Sequence, residues 1–262
     1  MSIGRRRRRR CGTTAPAAVA LGGAVTALLS SSRRDDDFPA RMLHRKTLLV
    51  IAHPDDEVMF FYPTVRALRE LQSERSNATF SILCLSDGGF DGLGAVRAAE
   101  MRTAGAAHGA VRVTVVDDAR LRDGAAWTDD AVADVVSRHL DDAAVITFDA
   151  GGASGHPNHC ATSTGVRRAL ASSPRAHYEL RTAPLATRLL GPLDAAVYRR
   201  RRRRRHVLTT TNLGPWAAWR AMATGHPSQF VWYRRIFLLL SAYTYANRLV
   251  EVDRTKNSTT TC

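Results

Sequence analysis

Cysteine is scarce in this sequence, and the four cysteines present lie far apart. Cys11, Cys84, Cys160 and Cys262 form no CxxC pair in a chain of 262 residues. A thiolate zinc site or a disulfide framework needs cysteines at characteristic spacings, so the sequence encodes neither. This usage is typical of a protein from a reducing compartment.

Net positive charge is also nearly missing from most of the chain, although the total suggests otherwise. The formal net charge is +14, but arginine runs at residues 5–10 and 199–205 supply thirteen cations and leave the remainder at +1. A uniformly basic binding surface is therefore excluded. Neither run contains an aromatic residue that could stack on a base, so a nucleic-acid-binding protein is the weaker alternative and no nucleic-acid partner is predicted.

The overall composition is that of a globular protein, with 45% apolar and 24% charged residues and no internal repeat. Wholesale disorder and a fibrous repeat are excluded, and the chain can bury a sizeable core. We expect a basic N-terminus and linker over residues 1–45, a folded domain over 46–252 with an arginine-rich insertion near 199–205, and a polar tail over 253–262.

Residues 11–32 carry no charge and contain the apolar centre AAVALGGAVTALL. A signal peptide has an apolar segment of about 15 residues, whereas a membrane span needs about 20. The segment lies between these lengths. A membrane anchor is the favoured interpretation, and a cleaved signal peptide or a low-complexity tail are the alternatives.

Short apolar runs at residues 47–52, 80–86, 111–116 and 143–148 predict buried strands. Helical patterns lie between and after them, at 63–71, 96–108, 130–140 and 160–170. This alternation predicts an α/β fold, a Rossmann-like and mostly parallel sheet with helices on both faces. Residues 171–213 are predicted to be irregular. Helices are expected over 216–224 and 231–245, the second as a core helix or a membrane contact.

Polar loops follow the first and fourth predicted strands. The first contains His53-Pro54-Asp55-Asp56-Glu57, and the fourth ends in Gly-His-Pro-Asn-His, with His156 and His159. If the two strands are neighbours, two imidazoles and a carboxylate from these loops make a three-ligand zinc site with an open position for water. A second carboxylate and a third histidine remain for proton transfer. The plainer alternative is that both groups only cap the helices that follow.

The segments AHPDDEVMFFYPT (52–64) and TFDAGGASGHPNH (147–159) together resemble the LmbE-like zinc deacetylases. The resemblance is strongest to members that act on N-acetylglucosaminyl-phosphatidylinositol. It includes Arg97, Glu100, Trp127 and the segment GHPSQFVWYRR (225–235), and it extends over residues 48–250.

The resemblance implies that His53, Asp56 and His159 hold Zn²⁺ or another divalent metal. Asp55 is then the general base, and His156 polarises the acetyl carbonyl and helps to protonate the departing amine. The implied reaction releases acetate from the glycolipid, which is the second step of glycosylphosphatidylinositol (GPI) anchor synthesis. Deacetylation of a soluble N-acetylglucosamine conjugate is the alternative.

Two further residues are candidates for contact with the substrate. Arg97 could bind its phosphate through a bidentate guanidinium, or pair with Glu100 one helical turn away. The family has an acidic residue where this chain has Ala95, which puts the polar contacts near Arg97 in doubt. His226 follows the family pattern and is expected to line the site, with a structural role as the alternative.

The resemblance also implies an endoplasmic-reticulum membrane protein with a cytosolic catalytic domain and membrane lipid as a partner; no obligate protein partner is predicted. The arginines before residue 11 favour a cytosolic N-terminus, which would place the domain in the lumen instead. Asn77 and Asn257 begin acceptor sequons that are glycosylated only in the lumen.

Overall fold

A computed structural model describes residues 46–74, 77–191, 193–194, 206–210 and 215–253, with the backbone alone for 206–210. The predicted anchor at 11–32, both arginine runs and nearly all of the polar tail lie outside the described residues. Among the residues described, no helix is both long enough and apolar enough to cross a membrane.

Strands and helices alternate along the chain. The strands are β1 (Lys46–Ile51), β2 (Thr79–Cys84), β3 (Arg112–Val115), β4 (Ala143–Phe148), β5 (His177–Leu180), β6 (His206–Thr210) and β7 (Ala246–Glu251). The helices are α1 (Asp56–Met59), α2 (Tyr62–Glu74), α3 (Gly94–Ala107), α4 (Asp129–His139), α5 (Gly152–Gly155), α6 (Pro157–Ala169), α7 (Leu185–Arg188), α8 (Pro215–Gly225), α9 (Trp232–Leu240) and α10 (Ala242–Tyr245). The four predicted strands and the helices between them are confirmed, with small shifts at their ends.

The strands form one sheet in the order β3-β2-β1-β4-β5-β7-β6. The first five are parallel to their neighbours, and β7 pairs antiparallel with both β5 and β6. The chain runs outward from β1 to β2 and β3, and then crosses to β4 on the other side. Such a reversal opens a crevice at the carboxyl ends of the two central strands, where ligands bind in sheets of this type.

The core is centred on β1 and β4, whose apolar residues are almost fully buried. Strands covered on both faces read as continuous apolar runs, which explains why these two were visible in the sequence. Helices α4 and α6 pack closely against one another. A Cβ atom on Gly165 would lie 2.3 Å from Val132 Cβ, so this contact requires glycine.

The prediction that residues 171–213 are irregular was wrong, because β5, α7 and β6 lie in this range. Strand β5 is short and carries a buried charge, Glu179, which accepts hydrogen bonds from Arg167 at 2.6 and 2.5 Å. A strand that contains a buried ion pair does not give an apolar run. The single helix predicted over 231–245 was also wrong: the chain leaves α9 at Ser241, whose extended backbone and Oγ cap α10.

Candidate active site

The loops that follow β1 and β4 meet at the carboxyl edge of the sheet. Their strands are hydrogen-bonded neighbours, with Leu49 paired to Ile146. His53 Nδ1 consequently lies 3.3 Å from His159 Nε2, although the two residues are 106 positions apart. The two loops therefore lie next to each other, as predicted from the sequence.

Asp56 is held by the turn in which it lies. Its Oδ2 accepts backbone hydrogen bonds from Ala52 at 3.1 Å and from His53 at 2.8 Å. This leaves Oδ1 facing His159, whose Nε2 lies 3.3 Å away. Burial opposes ionisation, but the attraction of His159 and His53 outweighs it and holds the pKa of Asp56 well below its usual range. Asp56 is a fixed, ionised carboxylate.

The outer nitrogens of His53 and His159 each face an oxygen atom that accepts a hydrogen bond, and that of His53 also lies 3.1 Å from Asn158 Nδ2. His159 Nδ1 lies 3.0 Å from the carbonyl oxygen of Gly152. His53 Nε2 lies 3.3 Å from Asp123 Oδ1. We therefore assign the N–H of each neutral ring to its outer nitrogen. The lone pairs of the inner nitrogens then face each other and Asp56.

Three electron-pair donors thus converge on one point. His159 Nε2 is 3.3 Å from both His53 Nδ1 and Asp56 Oδ1, and His53 Nδ1 is 3.9 Å from Asp56 Oδ2. Ligands about 2.1 Å from a tetrahedral metal lie about 3.4 Å apart. Burial lowers the pKa of His159, but the carboxylate of Asp56 raises it by more. This point of the site therefore favours a positive charge. The donor set fits a divalent metal.

The loop after β4 is held by residues that follow β5. Ala153 has a φ of 58°, a conformation that costs free energy for a residue with a Cβ atom. Its N–H donates to Thr182 Oγ1 at 2.9 Å, and its carbonyl oxygen accepts from Tyr243 Oη at 2.9 Å. Asp149 accepts the backbone N–H groups of Gly151 and Thr182 at 3.0 and 2.7 Å. These bonds fix the backbone that leads into α6.

His156 lies at the exposed entrance of the site. Its Nδ1 accepts the backbone N–H of Asn158 at 3.2 Å, so Nε2 carries the proton of the neutral ring. Burial and the neighbouring His53 and His159 lower the pKa of His156, which favours that neutral ring.

One ring nitrogen from each of His53, His156 and His159 lies within 4.8 Å of the others, so this three-histidine group could hold a metal. It differs from the predicted ligand set by containing His156 in place of Asp56.

Asp55 lies in a strained turn, with a φ of 99°. Its side chain is buried, and among the described residues no donor forms a hydrogen bond with Oδ2. Arg234 Nη2 and Arg97 Nη2 lie 3.4 and 3.5 Å from that oxygen. Burial raises the pKa of Asp55, and the two arginines only partly offset it. A carboxylate with a free lone pair and a raised pKa is suited to accept a proton.

Comparisons with known proteins show the family to which the chain belongs. A family model described as PIG-L, GlcNAc-PI de-N-acetylase, matches residues 48–170, which contain both loops. The chain is 34% identical over 214 residues to a probable N-acetylglucosaminyl-phosphatidylinositol de-N-acetylase of Schizosaccharomyces pombe, covering 77% of this chain and 85% of that protein. The chain belongs to the N-acetylglucosaminyl-phosphatidylinositol de-N-acetylase family.

Another member of this de-N-acetylase family, from Bos taurus, is 34% identical over 219 residues, covering 78% of this chain and 82% of that protein. Among solved structures, the N,N'-diacetylchitobiose deacetylase from Pyrococcus horikoshii matches with a TM-score of 0.60 and 15% identity, covering 93% of this chain and 95% of that chain. The solved structure supports the fold alone. The family resemblance seen in the sequence is confirmed.

Arg97 does not form the predicted pair with Glu100, which instead accepts the N–H and hydroxyl of Ser228. The buried Arg97 guanidinium donates to the carbonyl oxygens of Gly88 at 2.7 Å and Pro54 at 2.9 Å. Both terminal nitrogens of this arginine are thus occupied by the loops of the de-N-acetylase site. Arg97 thus positions the turn that carries Asp55, and its contact with a phosphate of the substrate stays a prediction.

His226 lies beneath the site and is fully buried. Its Nε2 is 2.5 Å from Glu57 Oε1, and that carboxyl is fully buried as well. Burial lowers the pKa of His226, but Glu57 raises it by more. The prediction that His226 contacts the substrate does not agree with this placement. The His226–Glu57 pair lies beneath α1 and stabilises it. This placement supports the alternative that His226 has a structural role.

Three residues of the site were not predicted from the sequence: Asp123, Asn158 and Arg234. Asp123 and the Asn158 side-chain amide face His53 Nε2 at 3.3 and 3.1 Å, and Arg234 approaches Asp55. Asn158 and Arg234 lie in the segments quoted for their family likeness, and Asp123 lies in the loop that follows β3. Nothing local to those segments indicates which side chain turns inward.

Proposed function

We propose that this protein is a zinc-dependent hydrolase that removes the acetyl group from N-acetylglucosaminyl-phosphatidylinositol, in the second step of GPI-anchor synthesis. The observation that carries the proposal is the convergence of three metal-type donors beside a buried carboxylate and an exposed imidazole. The names of the S. pombe and Bos taurus relatives supply the substrate.

The proposed metal ligands are His53 Nδ1, His159 Nε2 and Asp56. We favour Asp56 over His156 as the third ligand because it is ionised, buried and 3.3 Å from His159 Nε2. Two imidazoles and one carboxylate are a donor set typical of catalytic zinc sites. When bound there, zinc is a Lewis acid that polarises a carbonyl and brings the pKa of water towards about 7.

Asp55 accepts a proton from the attacking water. Its Oδ2, which accepts no hydrogen bond from the described residues, offers the lone pair, and burial keeps its affinity for a proton high. Arg97 and Arg234 hold the carboxylate in position while it is ionised. As the carbon–nitrogen bond breaks, the protonated carboxyl gives this proton to the departing amine. The amine and acetate are the products.

His156 donates a hydrogen bond to the oxygen of the acetyl group. Its Nδ1 is occupied by the N–H of Asn158, so the Nε2–H remains available at the entrance of the site. Negative charge grows on the acetyl oxygen as water adds, and a fixed donor stabilises that charge. The neutral ring, favoured by the lowered pKa of His156, also avoids repulsion with a bound cation.

Acetate release from N-acetylglucosaminyl-phosphatidylinositol tests the proposal. The purified full chain is expected to release acetate from this lipid, and a chelator is expected to abolish the release until zinc is restored. A soluble N-acetylglucosamine conjugate serves as the comparison substrate. Faster turnover of the soluble conjugate, or activity that survives removal of all bound metal, contradicts the proposal.

We also propose that the protein belongs to the endoplasmic-reticulum membrane, with its catalytic domain in the cytosol. The proposal is supported by the lipid substrate and by the apolar segment at residues 11–32. Asn77 is exposed and begins a sequon, so a lumenal domain would be glycosylated there. A loss of mass on glycosidase treatment of the native protein would place the domain in the lumen.

A further inference from the structure

Helix α9 exposes an apolar face beside the active site. Four side chains on it are between 46% and 70% exposed: Trp232, Tyr233, Ile236 and Leu240. Positions spaced by three, four, seven and eight residues share one side of a helix. Arg234, on the same helix, turns inward to within 3.4 Å of Asp55. Helix α9 therefore carries both the exposed face and a residue that reaches the proposed catalytic base.

The segment after β5 contributes a second exposed apolar group. Four leucines on it are between 46% and 82% exposed: Leu185, Leu189, Leu190 and Leu193. Its first residues adjoin the β4 loop, because Ala183 donates its N–H to Tyr243 Oη, which donates in turn to Ala153. Its far end adjoins α9, since a Cβ atom on Gly191 would lie 3.4 Å from the carbonyl oxygen of Leu240. We call these leucines and the apolar face of α9 the apolar rim.

The apolar rim is continuous with exposed aromatic residues of α8. Trp216 is 66% exposed and packs on Trp219, whose ring contacts Phe230 at the start of α9. The leucine segment adjoins the entrance of the site, because Arg188 donates to the carbonyl oxygen of Ser154 at 3.4 Å, two residues before the exposed His156. A contiguous exposed apolar surface of this kind marks an interaction site.

The segments that carry the apolar rim are rich in arginine, and Asp194, which follows Leu193, is paired with Arg248. Residues 180–193 and 215–241 contain five arginines and no aspartate or glutamate. Arg235 is exposed and packs its guanidinium 4.5 Å from the centre of the Phe230 ring. In the sequence, the seven arginines at 199–205 lie between these two segments. Tryptophan, tyrosine and leucine mixed with arginine are typical of surfaces that lie in the headgroup layer of an anionic membrane.

We propose that the apolar rim docks on the surface of a bilayer that contains anionic phospholipids, so that the active site opens toward the headgroups. The proposal rests on the proposed lipid substrate in one respect. A substrate with two acyl chains stays in the bilayer, so a docked rim brings the catalytic loops to its sugar.

Tryptophan fluorescence tests the docking in the full chain. The protein is mixed with vesicles of phosphatidylcholine and phosphatidylinositol whose acyl chains carry bromine, which quenches a tryptophan that enters the bilayer. Trp232 is expected to be quenched. The variant Tyr233→Ser/Ile236→Ser keeps this reporter but removes apolar area, and its affinity for the vesicles is expected to fall by roughly tenfold. A chain held only by residues 11–32 would show no quenching of Trp232.

Val111→Ser is the matched control for this variant. Val111 is an exposed apolar residue near the start of β3, at the opposite edge of the sheet from the loops. This control is expected to leave the quenching unchanged. If both variants weaken the quenching equally, or if neither does, the apolar rim is not the docking surface. Concentration-dependent dimerisation that only the rim variant abolishes, without vesicle quenching in the wild type, would assign the surface to a second copy and overturn the proposal.

Turnover separates docking from catalysis. The rim variant is expected to lower kcat/KM by about tenfold for N-acetylglucosaminyl-phosphatidylinositol in vesicles, and by less than about twofold for its headgroup without acyl chains. Equal losses on both substrates would mean that the variant disturbs the site, which contradicts the docking role. If wild-type protein is quenched by vesicles but releases no acetate from either substrate, the proposed function fails and the docking stands.

Discussion

The turn after β1 is closed by its own Asp56 and supported by Arg97, whereas the loop after β4 is held by partners from the last third of the chain. Asp56 binds the N–H groups of Ala52 and His53, at most four positions away. The strained Ala153, in contrast, is held by Thr182 and Tyr243. The turn after β1 places charge deep in the fold, and the loop after β4 presents a donor at the solvent edge. Substitutions in the two loops are therefore expected to affect metal binding and turnover differently.

The largest effect is expected from His53→Ala in the loop after β1. It removes one of three converging donors, so the protein should lose its metal and turnover should fall to the level of the chelated enzyme. Metal analysis of the purified variant checks this. His139→Ala is the control. His139 lies at the end of α4, outside the two loops, so this variant should retain the metal. Full metal content in His53→Ala contradicts the ligand assignment.

Asp55→Asn changes the neighbouring residue with a different result. The metal should stay bound, and kcat should fall by about 10²–10⁴-fold because the proton acceptor is lost. The base works when ionised and its pKa is raised, so wild-type kcat should increase as pH rises through that pKa. This acid limb should vanish in the variant. Loss of metal instead would make Asp55 a ligand.

His156→Ala tests the other loop. Metal content should be unchanged, while kcat falls by about 10²–10³-fold through the loss of a hydrogen-bond donor. His156→Gln keeps an N–H donor and should recover part of this loss. If His156→Ala loses metal as completely as His53→Ala, the three-histidine group is the metal site and Asp56 has another role.

Asp123→Asn removes the charge that accepts the N–H of His53. The site should remain, but its affinity for the metal should fall by about 10–100-fold, as measured by competition with a chelator. Asp118→Asn is the matched control, since Asp118 lies in the same loop and binds Arg120 instead. An unchanged affinity in Asp123→Asn would show that Asn158 orients His53 without it.

Tyr243→Phe should have the smallest effect. It removes the hydroxyl that joins the β4 loop to Ala183, at a cost of roughly 1–3 kcal/mol in the free energy of unfolding. Tyr245→Phe removes a hydroxyl that, among the described residues, donates to the carbonyl oxygen of Leu239. Denaturant unfolding should show losses in both variants, but only Tyr243→Phe should lower kcat, by a few-fold. Equal kcat values in the two variants would mean that the β4 loop needs no support from α10.

Much of the sheet and of the site could be predicted, for a physical reason that also explains the failures. Strands β1 and β4 are buried on both faces and give apolar runs, so their ends and the polar loops beyond them are visible in the sequence. Strand β5 contains Glu179, whose charge is neutralised by Arg167 from α6. In a sequence, a charged residue predicts an exposed position, even where its charge is paired with a residue of another helix or strand. For this reason β5 was not predicted.

The same limit applies to roles assigned to single residues. Arg97 and Glu100 have the spacing of a helical pair, yet each bonds to a different loop. His226 belongs to a conspicuous motif, yet it is buried against Glu57. Spacing along a helix shows which side chains can meet, and packing decides which of them do.

The sequence by itself determined the fold class, the family and the two loops that carry the candidate catalytic groups, because these depend on apolar runs and on residues close together in the chain. Tertiary structure alone decided that β1 and β4 are neighbours, that Asp123 and Arg234 join the site, and that His226 does not. Such outcomes depend on contacts between residues that are distant in the chain, and no local pattern records which of the possible contacts is made.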